Sequence, residues 1–150
     1  GKSELIKPLA IANLLHIPTF VVCDADTNKD LIEDEQRRKS EVEKHKMDNR
    51  AILNLCGHKN ATEWPLEHLQ FINITMWTTN LTDSIEAEMG TKWKEFKEEA
   101  YTYYGKPGGL QKNPLAIARA LEKSWETGLK SSLLEKLIES IIDFSNKKPI

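Results

Sequence analysis

The sequence predicts an α/β fold, with a small parallel sheet flanked by helices and a helical C-terminal portion. Three observations carry that prediction. Thr19 to Cys23 is a short apolar run, rich in β-branched residues, that stops at Asp24. Ile72 to Trp77 alternates apolar with polar residues. The segments around these two runs repeat apolar residues at helical spacing, so the order reads helix, strand, helix, strand, then helices.

Residues 4–16 carry Leu5, Ile6, Leu9, Ala10, Ala12, Leu14 and Leu15 at roughly helical intervals, with Ser3 placed to cap the first turn. Ile17-Pro18 closes this helix, because proline disfavours helical geometry in the residue before it. Thr19 to Cys23 then reads as a buried parallel strand whose carboxyl end opens on polar residues. Residues 25–35 read as a polar, acidic loop. Residues 34–56 form a strongly charged helical stretch with Val42, Met47, Ala51, Ile52 and Leu53 as its few apolar contacts. The segment 57–69 is turn-rich. In the second strand Ile72, Ile74 and Met76 share one face, and a helix over Leu81 to Met89 starts at an Asn80 or Thr82 cap. Further helices are predicted over 92–104, 114–127 and 131–144, with a Lys106-Pro107-Gly108-Gly109 loop between the first two. The last one places Leu133, Leu134, Leu137, Ile138, Ile141 and Ile142 on a buried side.

The length of 150 residues suits one compact domain, divided into an α/β core over about 1–90 and a helical extension over about 91–150. With 39% hydrophobic and 29% charged residues, a buried core is available and wholesale disorder is excluded. The net charge of -2, from 21 basic and 23 acidic side chains, gives no global electrostatic case for nucleic acid. A DNA contact would rest on a local patch drawn from Lys92, Lys94, Lys97, Lys106, Lys112, Arg119 and Lys123, diluted by Glu95, Glu98, Glu99 and Glu122. Two cysteines are too few for a disulfide framework, and Cys23 reads as a small buried hydrophobe. No apolar stretch approaches the ~20 residues that span a bilayer, and no secretory leader opens the chain. A cytoplasmic setting is therefore expected, in which the sequons at Asn60, Asn73 and Asn80 carry no meaning. The opening Gly1-Lys2-Ser3-Glu4 reads as the tail of a turn entering a helix, so the chain is expected to be a portion of a larger protein.

The segment Phe20-Val21-Val22-Cys23-Asp24-Ala25-Asp26 carries the chemistry. Ligands of α/β sheets gather at the carboxyl ends of strands, and Asp24 and Asp26 share one such end. Two carboxylates that close repel each other, and a hard dication relieves the repulsion. Mg²⁺ takes one or two carboxylates with waters and phosphate oxygens, so the arrangement points to phosphate chemistry. The alternative is a plain loop in which Asp24 caps the next turn. A P-loop reading fares worse: Gly1-Lys2-Ser3 matches the end of a Walker A loop, but the glycine-rich cradle and its strand do not precede it here.

The run from Gly1-Lys2-Ser3 through a helix to Ile17-Pro18-Thr19-Phe20-Val21-Val22-Cys23-Asp24-Ala25-Asp26 resembles the central part of a Toprim domain, nearest to those of the OLD (overcoming lysogenization defect) nucleases. The resemblance continues through Met76-Trp77 and the next helix to Lys112-Asn113-Pro114. It implies a metal-dependent DNA endonuclease domain, fused to an N-terminal ABC-type ATPase domain and acting with Mg²⁺ or Mn²⁺ by a two-metal mechanism. It implies Asp24 and Asp26 as metal ligands, Ser84 and Glu86 as the later acidic element at a second metal (with Asp83 a neighbouring alternative), and Lys112 as the cation beside the scissile phosphate. It also implies a glutamate on a strand before Gly1, outside these 150 residues. On residue type alone, Glu86 reads more readily as part of an exposed acidic helix face with Glu88, and Lys112 as a solvated lysine.

The other candidates read as structural. His16, His45, His58 and His68 show no metal-like spacing, and Trp64, Trp77, Trp93 and Trp125 read as core or surface anchors. The alternative to a nuclease is a non-catalytic module of the same fold serving assembly or nucleic-acid docking. The 131–144 stripe would then cover the core or mediate a homodimer.

Overall fold

The computed structural model describes residues 2–106 and 113–147. Among them the chain is α/β, with six α-helices, one short 3-10 helix and three strands. In chain order these are α1 (Ser3–Leu14), β1 (Val21–Asp24), the 3-10 turn (Thr27–Leu31), α2 (Glu35–Leu55), β2 (Leu69–Phe71), β3 (Ile74–Trp77), α3 (Leu81–Met89), α4 (Thr91–Tyr103), α5 (Pro114–Glu126) and α6 (Ser132–Asn146).

Local chemistry explains most boundaries. Asp34 caps α2 by accepting the Arg37 amide at 2.6 Å, and Asn113 caps α5 by accepting the Leu115 and Ala116 amides, with Pro114 on the first helical position. The expected Ser3 cap is not made: Ser3 is the first helical residue, and Lys2 before it has helical dihedrals and makes no side-chain cap. At its far end α1 closes with paired bonds from the His16 amide to the Asn13 carbonyl and from the Ile17 amide to the Ala12 carbonyl. This closure demands a left-handed residue, and here it is His16, at φ 54°. Helix α2 ends in the same way on Gly57, the residue that adopts this conformation without strain.

The sheet is mixed, which corrects the expected parallel one. The strand order is β1-β3-β2, with β1 parallel to β3 from Val21↔Ile74 to Asp24↔Trp77 and β2 antiparallel to β3. The segment expected to be turn-rich ends in β2, which forms a hairpin with β3 through Ile72 and Asn73. Ile72 is thus exposed in the turn and does not share the face of Ile74 and Met76. Because β3 is the central strand of the described sheet, all four of its residues are buried and the expected alternation is lost.

The described chain forms two compact units, Gly1–Leu81 with Leu137–Ile150, and Thr82–Lys136. In the first, Leu9, Val21, Cys23, Ala25, Ile52, Leu53, Cys56, Ile74 and Met76 form one core. In the second, α4 packs along α5, and Trp93, Ala100, Tyr101, Ala116 and Ala120 are buried. The apolar stripe of α6 departs from expectation. No α6 residue is fully buried, and Ile138, Ile141 and Ile142 are 44%, 41% and 50% exposed. Helical periodicity identifies an apolar face but does not say what covers it. Among the described residues, no helix is long and apolar enough to cross a membrane.

Candidate functional site

Strand β1 ends at Asp24, and the chain stays attached to the β3 side for three more residues. The amides of Ala25, Asp26 and Thr27 donate to the carbonyls of Trp77, Thr79 and Thr78 at 2.7, 3.1 and 3.0 Å. This ladder turns the chain sharply, and Asp26 takes a left-handed conformation at φ 59°, ψ 36°. A non-glycine residue there costs about 1–2 kcal/mol, less for aspartate, and such strain concentrates where a side chain must be aimed. Asp24 Oδ1 accepts the Leu81 amide at 3.1 Å, so this carboxylate sits at the first turn of α3, where the helix dipole favours negative charge. The expected alternative had Asp24 capping the next turn, whereas its carboxylate bonds Leu81, 57 positions on.

Three residues that sequence reasoning did not select complete the mouth. Lys2 is the first. Its side chain is only 7% exposed, and its ammonium donates to the Asp24 carbonyl (2.9 Å), the Ala25 carbonyl (3.0 Å) and Asn49 Oδ1 (2.8 Å), with Asp26 Oδ2 at 3.0 Å. The second is Asn49, fully buried on α2, whose amide group donates to the carbonyls of Ala25 at 3.0 Å and Glu63 at 2.9 Å. The third is His45, one turn earlier on α2. Its Nδ1 lies 3.3 Å from Asp26 Oδ2 without hydrogen-bond geometry, and its Nε2 lies 3.6 Å from Glu41. Burial, aided by Lys2, holds the imidazole pKa below its ordinary value against the opposing pull of Asp26.

The Asp24 and Asp26 carboxylates thus stand at a strand end that also holds the Lys2 ammonium. Asp24 and Asp26 bring oxygen donors of the kind a hard dication takes, and His45 Nδ1 is a buried nitrogen without a hydrogen-bond partner beside them. Among the described residues, however, no group of three or more His, Cys, Asp or Glu side chains stands ready to hold a metal ion. Two carboxylates are the number a hard dication such as Mg²⁺ would take from protein if water and phosphate supplied its other ligands.

The remaining expected residues lie elsewhere. Ser84 and Glu86 belong to the second unit, on α3, where Ser84 is buried and Glu86 pairs with Lys97 of α4. Asp83 lies in the first turn of the same helix. Lys112 lies outside the described residues. Of the basic patch, Lys123 pairs with Glu126 at 2.8 Å, and Arg119 stacks its guanidinium 3.6 Å from the Tyr103 ring. His58 bonds Asn73 Oδ1 at 2.8 Å and stacks on Phe71, a structural use. Burial pushes the Cys23 thiol up to about 12 and the Cys56 thiol to about 11, so neither offers a thiolate. Comparison of the chain with protein families, with curated proteins and with solved structures gives no match.

Proposed function

We propose that this chain is the Toprim-type nuclease portion of a larger ATPase–nuclease, hydrolysing DNA phosphodiester bonds with Mg²⁺ or Mn²⁺ at the mouth formed by Asp24 and Asp26. One observation supports the reading: Asp24 and Asp26 both stand at the carboxyl end of a strand paired in parallel, the second of them on a left-handed backbone. A bound divalent cation supplies charge stabilisation at the phosphate and a more acidic attacking water. The residues of this chain do the rest. Asp24 and Asp26 fix the cation, the Leu81 amide orients Asp24, and Lys2 with Asn49 holds the backbone beneath them. In this reading Ser84 and Glu86 serve a second cation, Lys112 steadies charge on the scissile phosphate, and DNA and the ATPase domain of the parent chain are the partners. The reaction inserts water at phosphorus and releases a strand end, with the proton passing to the leaving oxygen.

A non-catalytic role in assembly or DNA docking remains the second reading, favoured by the Glu86–Lys97 pair and by the absence of a three-ligand cluster among the described residues. Nicking of supercoiled plasmid separates the two. The nuclease reading expects nicking with Mn²⁺ or Mg²⁺ that Asp24→Asn and Asp26→Asn each reduce beyond the about 10- to 100-fold typical of an outer-shell change. Nicking that both variants retain would defeat it.

A further inference from the structure

The most densely bonded side chain of the mouth is a cation the protein itself provides. The Lys2 ammonium has three hydrogen-bond acceptors and one carboxylate within 3.0 Å, and its side chain is almost wholly removed from water. An ammonium so placed cannot recover its hydration, so it keeps its position only while these acceptors keep theirs. Three of the four are held by other bonds. The Ala25 carbonyl also takes the Asn49 amide, Asn49 is anchored to the Glu63 carbonyl, and the Asp24 residue belongs to the β1–β3 ladder. The Asp26 carboxylate differs, being a side chain on a turn and a quarter exposed. It is the acceptor that can turn away, and the one a dication would need.

We propose that Lys2 is the resident counter-ion of the mouth, and that a divalent cation binds by drawing the Asp26 carboxylate away from the Lys2 ammonium. This rests on the metal reading above and adds a control to it: the affinity of the site is set by competition with an internal positive charge. The ammonium keeps two backbone carbonyls and Asn49 after the exchange, so the strand end holds its shape while the carboxylate changes partner. The same geometry makes Lys2 a positioning residue, because it sets where Asp26 waits without touching the cation.

The test uses the whole chain and Mn²⁺ alone, read by calorimetry and by thermal melting with and without the ion. Lys2→Met removes the ammonium, and Lys2→Gln removes the charge while keeping donors for the carbonyls, in case the first variant does not fold. Without metal, either variant should melt below the wild type, and adding Asp26→Asn should restore part of the loss by removing the uncompensated carboxylate. With Mn²⁺, either variant should bind about tenfold more tightly than the wild type, the scale of a screened charge–charge term. Its melting point should also rise more on adding the ion. Wild-type binding that neither variant tightens would overturn the counter-ion role and leave the metal reading standing. No binding by any of the three proteins would overturn both.

Discussion

The two units differ in what meets their least exposed acidic side chains. In the second, Glu86 pairs with Lys97, Glu126 with Lys123 and Glu135 with Lys130, and Glu88 accepts from the hydroxyls of Ser131 and Ser132 and the amides of Ser132 and Leu133 at the start of α6. Burial alone would raise the Glu88 pKa, but these bonds outweigh it and hold it below the ordinary value. In the first unit, at the end of β1, the Asp24 carboxylate accepts the Leu81 amide, while the Lys2 ammonium, 22 positions before Asp24, bonds the Asp24 backbone carbonyl and the Asp26 carboxylate. A carboxylate used as a helix cap adds stability where it stands. The left-handed backbone at Asp26 adds strain, and proteins keep strain of that kind at working sites.

Four substitutions sharpen that contrast, in falling order of effect. Ile74→Ala empties a fully buried position in the strand that β1 and β2 both pair with. It should cost about 2–5 kcal/mol in urea unfolding and strip β1 and β3 of hydrogen-exchange protection. Asn49→Ala removes one of the acceptors of the Lys2 ammonium and takes the Asn49 donor from the half-buried Glu63 carbonyl, while the Ala25 carbonyl keeps Lys2. A loss of about 1–3 kcal/mol is expected, less where water enters, together with weaker metal binding. Glu88→Gln should cost about 1 kcal/mol, the scale of a helix cap.

The Glu88 loss is pH-dependent, and its sign follows from the depressed folded pKa. The stabilisation is complete above the ordinary value of 4.5 and disappears as the pH falls through the lower folded value. Melting curves of wild type and Glu88→Gln should therefore differ at neutral pH and converge only well below 4.5. His16→Gly is the smallest, and it has the opposite sign. Both His16 and Asp26 have positive φ, but only Asp26 belongs to the mouth. Relieving His16 should raise stability by about 1 kcal/mol without altering metal binding.

What the sequence disclosed divides along the same line. Helices α2 and α5 are legible because each is long, 21 and 13 residues, with no glycine and no proline beyond its first turn to interrupt the helical reading. The β1 run and its terminal Asp24 are legible because a buried strand has a compositional signature. Strand β2 is not, since Leu69–Phe71 has only three residues and exists by pairing with β3. The α6 stripe was visible as a period, but its exposure depends on what faces it, which no local pattern records. The mouth was half visible for the same reason. Asp24 and Asp26 are neighbours in the chain, whereas Lys2 and Asn49 meet across 47 positions and His45 reaches Asp26 from another helix.

The central claim is that the Asp24–Asp26 mouth binds a divalent cation, and its most direct test is calorimetric titration of Mn²⁺ into the wild type and the Asp24→Asn/Asp26→Asn double variant. One saturable site in the wild type, lost in a double variant whose melting shows it to be folded, is the predicted result. Equal heats from the two proteins would contradict the account and leave the acidic pair as the partner of Lys2 and the cap of α3.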